Sequence, residues 1–249
     1  EKMIQDGMFD DFKIDEVYAL HNWPELPLGT FGVNSGPMMA AVDEFDITVK
    51  GKGGHAASPH LAIDPVVISA QVISAVQTII SRSTDPVDKA LISITKINAG
   101  TAYNVIDDQV KMGGTIRTFR RETRAYIEKR LNELCKGIAD AHGAEIKIEF
   151  DLVNKYPPTI NSKEETKFAA NVAKDLVGDD KVITDIDPSM GGEDFSYLLE
   201  KKPGSYLYLG QGDAEHSAHL HTTKYDFNDN LLPIGVNFWV DLVQKYFSK

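Results

Sequence analysis

The feature that most constrains the fold is a succession of strand and helix periods between Phe45 and Tyr156. Phe45-Asp46-Ile47-Thr48-Val49-Lys50 places apolar and polar residues in turn, as a half-buried strand does. Ala62 to Ile80 follows as a helix, with Ile68, Val72, Val76 and Ile79 along one stripe. Lys89–Ile97 and Val110–Phe119 read as strands. Ala125–Ala141 reads as a second helix, with Ile127, Leu131, Leu134 and Ile138 at helical spacing, and Glu145–Phe150 as a closing strand. Strand, helix, strand, strand, helix, strand is the ferredoxin-like order, and it is complete in itself. Residues 45–156 are expected to form a compact α+β domain inserted between two flanking pieces, 1–44 and 157–249.

The flanks read together as part of one α/β domain. Glu1–Phe12 looks like the end of a helix closing near Gly7, and Glu16–Leu20 like a short buried strand. His21 follows that strand directly. Ligand sites in open α/β sheets lie beyond the carboxyl ends of the strands, so His21 is either a site residue or a cap on the sheet edge. Asn22–Pro27 is expected to be an irregular loop, because Pro24 and Pro27 oppose regular pairing. Further on, Ser162-Lys163-Glu164-Glu165 has the form of a capping box opening a helix that runs to Val177 and stops at Gly178. Lys181–Thr184 is a short strand, and Met190–Phe195 turns into a helix start. Tyr206–Gly210 is a buried strand, and Asn230–Phe247 a terminal helix with Ile234, Phe238, Leu242 and Tyr246 inward.

Composition narrows the function classes. A formal net charge of -11 with no basic run argues against a nucleic-acid partner. The single cysteine, Cys135, falls among helical apolar positions, so it is expected to be a buried thiol in a reducing, cytoplasmic setting. The apolar runs read as too short and too interrupted to span a bilayer, so no membrane partner is expected. Glu1-Lys2-Met3-Ile4 shows neither an initiator methionine nor a signal-peptide pattern, and the chain reads as a piece of something longer.

The chemistry rests on histidines and carboxylates. Gly51-Lys52-Gly53-Gly54-His55-Ala56-Ala57-Ser58-Pro59-His60 is a glycine-rich turn, whose glycines are expected to adopt conformations closed to other residues and so present His55. The bland alternative is a tight connection with a surface histidine. His216, His219 and His221 cluster after the Tyr206–Gly210 strand, and imidazole is the commonest metal ligand near neutral pH. Their spacing matches no helical zinc motif, so alone they are a weak metal signal. Glu193 and Asp194 are either acid/base groups or carboxylates favoured at a helix start.

Gly53-Gly54-His55-Ala56-Ala57-Ser58-Pro59-His60, His21-Asn22-Trp23-Pro24, Ala102-Tyr103-Asn104-Val105-Ile106, Gly114-Thr115-Ile116-Arg117-Thr118-Phe119, Gly191-Gly192-Glu193-Asp194-Phe195 and Leu220-His221-Thr222 together span essentially the whole chain. In this set and order the sequence resembles the metal-dependent aminoacylase/carboxypeptidase amidohydrolases. That family includes hippurate hydrolases, N-acyl-amino-acid amidohydrolases and auxin-conjugate hydrolases. The resemblance implies a di-metal peptidase-like α/β catalytic domain carrying an inserted ferredoxin-like lid that also forms a homodimer. It implies two divalent metal ions, zinc or manganese, and a small N-acyl amino acid or dipeptide-like substrate. His21 and His221 would each be a metal ligand. His55 would help hold the tetrahedral oxyanion, in related enzymes within the dimer partner's site. Asn104 and Arg117 would contact substrate, although Asn104 could equally shape a turn and Arg117 pair on the sheet surface. No catalytic role is carried over to Glu193.

The departures also matter. The family's upstream Cys/His metal motif and its Glu-Glu pair are not matched, so these 249 residues are expected to be inactive alone. Asp107 stands where a proline is frequent, and Thr223 where a proline often follows the ligand loop. The competing reading is a non-catalytic dimerisation or small-molecule-binding module derived from the same family.

Overall fold

In the computed structural model, which describes residues 1–248, the chain divides into two compact units. Unit 1 comprises Glu1–Met39, Thr159–Ser189 and the chain from Glu193 onward; unit 2 comprises Ala40–Pro158 with Met190–Gly192.

Unit 1 opens with two single-turn helices, α1 (Lys2–Gln5) and α2 (Met8–Asp11). The helix expected to close near Gly7 does so with α1; Gly7 takes φ 98° and a second turn, α2, starts afresh after it. Three strands follow: β1 (Val17–Pro27), β2 (Phe31–Gly32) and β3 (Gly36–Met39).

Unit 2 contains β4 (Ala41–Lys50), β5 (Gly54–His55), α3 (Pro65–Thr78), β6 (Ala90–Asn98), β7 (Val105–Ile106), β8 (Gln109–Thr118), α4 (Arg121–His142) and β9 (Glu145–Tyr156). Its main sheet has the order β6-β8-β4-β9 with every pairing antiparallel, so the first and third long strands lie at the centre. This is the ferredoxin-like arrangement. Both helices lay their apolar stripes on one face of the sheet. Ile68, Val72, Val76 and Ile79 come from the α3 side and Ile127, Leu131 and Cys135 from α4, against Phe45, Ile47, Val49, Val110, Met112 and Ile116. α3 starts later than the expected Ala62, because the Asp64 carboxylate caps it by accepting from the Val66 N–H at 2.9 Å, with Pro65 in the first turn. Beyond Thr78 the helix widens into a π turn over Ile79–Ser83.

The expectation that no apolar run could cross a bilayer is corrected by this helix. Pro65–Ser83 is long and apolar enough by length and composition, because Arg82 near its end is its only ionic residue. Its Ile68, Val72 and Val76 are nonetheless packed into the core of unit 2.

Cys135 is 1% exposed, and burial pushes its thiol up to about 11. In the folded chain at pH 8 it is expected to resist a maleimide over a period in which the urea-unfolded chain is fully labelled; equal labelling rates would contradict this packing. Since the unfolded thiol ionises first, this residue's contribution to stability should fall as pH rises past the ordinary thiol value.

The return to unit 1 supplies β10 (Thr159–Asn161), α5 (Lys163–Val177), β11 (Val182–Ile183), α6 (Ser196–Leu199), β12 (Gly204–Gly212) and α7 (Leu232–Tyr246). The larger sheet has the order β1-β12-β2-β11, with β1 parallel to β12 and β12 antiparallel to β2. α5 and α7 cover it through Ala169, Ala173, Phe238 and Leu242, packed with Phe31, Leu207 and Leu209. β10 pairs antiparallel with β3, Asn161 opposite Gly36 and Thr159 opposite Met39.

Two local expectations fail in unit 1. The loop expected over Asn22–Pro27 is the second half of β1, which pairs with β12 through Trp23↔Gly210 and resumes at Pro27↔Gly212 after a register shift. Prolines are tolerated there because β1 lies at the edge of this sheet and bulges between the two pairings. The capping box is not formed. Ser162 is the N-cap of α5, but its hydroxyl accepts from the Gly204 N–H at 3.2 Å, tying the helix start to β12.

Candidate functional site

The residues singled out by sequence fall into two sets, one in each unit, and each set is described within its own unit.

In unit 1, His21 sits in β1 opposite Tyr208 of β12. Its Nδ1 lies 2.7 Å from the Asn22 carbonyl oxygen. A carbonyl only accepts, so Nδ1 donates and a neutral ring carries its lone pair on Nε2. That is the tautomer of an imidazole ligand whose other nitrogen is backed by a hydrogen bond. The ring lies among aromatics, with the Trp23 and Tyr206 ring centroids each 6.2 Å away and Trp23 stacked on Tyr208 at 3.9 Å. The Tyr206 hydroxyl donates to Glu193 Oε2 at 2.8 Å, and Glu193 Oε1 accepts from the Phe195 N–H at 3.2 Å. Burial, then the Glu193 charge, pushes the Tyr206 phenol well above its ordinary value. Glu193 therefore serves as a helix-start carboxylate that also anchors a buried tyrosine.

The three clustered histidines lie on the loop between β12 and α7. His221 is exposed and takes φ 60°, the one non-glycine residue with positive φ among the described residues. His219 Nδ1 meets Glu25 Oε1 at 2.6 Å, and His216 Nδ1 meets Asp213 Oδ1 at 2.8 Å. Among the described residues no group of three or more His, Cys, Asp or Glu side chains is gathered to hold a metal ion. His21 fits a metal as a single prepared ligand, but these residues alone do not close a metal site.

Sequence reasoning missed a polar network that joins this loop to the strands. Asn22 Nδ2 donates to Gln211 Oε1 at 2.8 Å and to the Tyr225 hydroxyl at 2.7 Å. Gln211 Nε2 donates to the Asp226 carbonyl at 3.0 Å, and Asn228 Nδ2 donates to the Gln211 carbonyl at 3.0 Å and to Asp213 Oδ2 at 2.8 Å. Gln211 and Asn228 are buried. The available signal was Gln211 itself, a polar residue at the end of an otherwise apolar buried strand.

In unit 2, His55 and Asn104 are brought together. β5 and β7 form a two-stranded ribbon with His55 opposite Val105, and the Ala56 N–H donates to the Asn104 carbonyl at 3.0 Å. The expectation that the turn's glycines need unusual φ is corrected: Gly51, Gly53 and Gly54 are absent from the positive-φ residues. What glycine supplies is close approach. A Cβ on Gly53 would lie 2.7 Å from the Ile106 carbonyl oxygen and 2.8 Å from Asp108 Oδ1, which accepts the Gly53 N–H. His55 Nδ1 accepts from the Ala57 N–H at 3.0 Å, so a neutral ring carries its proton on Nε2. His55 is thus set up as an Nε2–H donor, the opposite tautomer to His21.

Arg117 belongs to the same unit but to β8, paired with Val42 and Leu91. It lines a cavity of about 300 Å³ with Glu44, Asp46, Lys96 and Thr115. Burial lowers the guanidinium's pKa, while the Glu44 and Asp43 charges pull the other way. It therefore has both alternatives of the sequence reading before it, a cavity to serve and acidic neighbours on the sheet.

The sequence matches the model of peptidase family M20/M25/M40 over residues 1–245. It is 38% identical over 246 residues to the hippurate hydrolase of Campylobacter jejuni, covering 99% of this chain and 63% of that protein. It is 40% identical over 238 residues to an N-acetyldiaminopimelate deacetylase of Lactobacillus helveticus, covering 95% of this chain and 61% of the relative. A solved Bacillus subtilis structure described as a dinuclear metal-binding peptidase of the M20 family superposes with a TM-score of 0.78 at 30% identity, covering 97% of this chain and 59% of that one. The chain spans about three-fifths of the length of these relatives. With the α/β architecture and the ordered motifs, these likenesses establish that the chain belongs to peptidase family M20/M25/M40.

Proposed function

We propose that this chain is the larger part of a metal-dependent amidohydrolase that cleaves the amide bond of N-acyl amino acids or related peptide-like conjugates. The observation that carries the reading is the match along 1–245 to a family whose similar curated members include a hippurate hydrolase and N-acyl amino acid deacetylases. His21 and His221 are assigned as ligands to two divalent ions, zinc or manganese, with the remaining ligands and the general base supplied by sequence beyond these residues. Bound metal supplies the Lewis-acid chemistry of amide hydrolysis, activating water and polarising the carbonyl. His55 presents its Nε2–H to the developing oxyanion, and the Ala57 N–H on Nδ1 keeps the ring in the donating tautomer. Asn104, in the turn that leads into β7, is assigned to substrate, and Arg117 offers a planar fork suited to a carboxylate. Unit 2 is assigned as the lid and the homodimer contact, and the protein as cytoplasmic.

The test is metal content together with hydrolysis. Full-length protein loaded with zinc or manganese should release glycine from N-benzoylglycine, or the free amino acid from an N-acetyl amino acid, and both His21→Ala and His221→Ala should lose metal and turnover together. The 249-residue chain alone should retain little metal, because its described residues gather no three-ligand group. Full turnover in both variants would reject the assignment.

A further inference from the structure

His216 has no part in the chemistry just described, yet its ring and its backbone N–H both hold to one carboxylate oxygen. Asp213 Oδ1 accepts from the Glu215 N–H, the His216 N–H and His216 Nδ1, all at 2.8 Å. The other carboxylate oxygen accepts from Asn228 on the returning limb. Asp213 and Asn228 thus close the base of the loop, and His216 clips its outgoing limb to the same carboxylate. The closure continues inward through Gln211 to Asn22, the neighbour of His21. One connected network thereby reaches the strand that bears His21 and the loop that bears His221. The second nitrogen of His216 faces Asp226, with Nε2 3.9 Å from Oδ2, and Glu215 adds to the same negative field.

We propose that His216 is the positioning residue of this loop: its hydrogen bond to Asp213 holds the segment Asp213–Asn228 in the shape that places His221, and the protonated imidazole holds it most tightly. The proposal rests on the reading of His221 as a metal ligand. The electrostatics agree in sign. The Asp213 carboxyl is held down to about 2, first by the His216 side chain and then by the two backbone N–H groups. His216 is raised above its ordinary value, first by its hydrogen bond to Asp213. The clip is therefore a charged pair from about pH 2 up to the raised value of His216, and it loses its charge assistance as pH rises through that value. Strain at His221, held at φ 60°, gives the loop a reason to relax once the clip weakens.

The experiment follows the His216 ring by NMR, and amide exchange across residues 213–228 after correction for intrinsic rates, between pH 5 and 9. It uses the 249-residue chain, His216→Gln and Asp213→Asn. His216 should titrate above about 6.5, the ordinary histidine value. Loop protection should fall several-fold through that titration, and both substitutions should abolish the step and leave the loop at the high-pH level. A His216 titration at or below the ordinary value, or a pH step surviving in His216→Gln, would overturn the proposal. The second outcome would point to the His219–Glu25 contact instead. In full-length protein, His216→Gln should weaken zinc binding about tenfold with stoichiometry unchanged, as loss of a supporting contact does, whereas His221→Ala should remove a site. Zinc binding indifferent to His221→Ala would reject the ligand assignment while leaving the loop measurements to decide the role of His216.

Discussion

On the oxyanion role proposed for it, His55→Ala is expected to lower kcat of the full-length protein by about 10²–10³-fold, the usual loss for one such donor and equivalent to roughly 2.7–4 kcal/mol of transition-state stabilisation. The argument begins with the backbone. Gly53 lets the chain pass close to Ile106 and Asp108, the short β5–β7 ribbon fixes the turn, and the Ala57 N–H occupies Nδ1. A donor oriented before substrate arrives spends nothing on reorganisation during the reaction, which is why its removal should appear in kcat and kcat/KM alike rather than in KM. His55 is exposed, so its loss opens no cavity and folding should be unchanged. Turnover of His55→Ala within threefold of the parent enzyme would rule out this role.

Arg124→Ala should destabilise unit 2 by about 3–5 kcal/mol, the cost of stranding one member of a buried ion pair. Asp43 is the anomaly that sets this up. On β4 it occupies the alternation position of Phe45, Ile47 and Val49, the face covered by α3 and α4, and it is only 7% exposed. Arg124, in the first turns of α4, meets it with a two-pronged contact, Nε to Oδ2 at 2.6 Å and Nη2 to Oδ1. Arg117 also acts on Asp43 through its charge, so some compensation survives and the loss should fall toward the lower end of the range. Native-state exchange of the central β4 and β8 amides reads the stability of this unit directly. Pairing Arg124→Leu with Asp43→Asn should recover most of the loss, since the neutral pair leaves no buried charge. A loss under about 1 kcal/mol would place the pair with exposed salt bridges instead.

Unit 2 was legible because its signal is periodic. Ile68, Val72 and Val76, like Ile127 and Leu131, are buried where helical spacing placed them. Boundaries drifted where the pattern is silent. α4 begins at Arg121 rather than Ala125, because its first turn is polar and Arg124 spends itself on Asp43 instead of marking a stripe. In unit 1 the prolines of β1 pointed to a loop, since nothing local announces an edge position and a bulge. Ser162 has the capping sequence, yet a strand far along the chain claims its hydroxyl. The candidate site divides the same way. The histidines stand out as residue types in ordered motifs, whereas the network linking Asn22 to Gln211 joins positions 189 residues apart and exists only once β1 lies beside β12. Tautomers were illegible for the same reason, being set by a carbonyl beside His21 and an N–H beside His55.

The pairing of β3 with β10 gives the host domain an unusual indifference to what it carries. The chain departs after Met39 and returns at Thr159, and these two residues are partners across the ribbon. From the standpoint of unit 1, everything between them is a single loop whose ends are already fastened. The entropy of closing such a loop grows only with the logarithm of its length, about 0.6 kcal/mol for each doubling. That is comparable to one net hydrogen bond. By closure entropy alone, an insert fastened in this manner can change length at little cost to the strand pair that holds its ends.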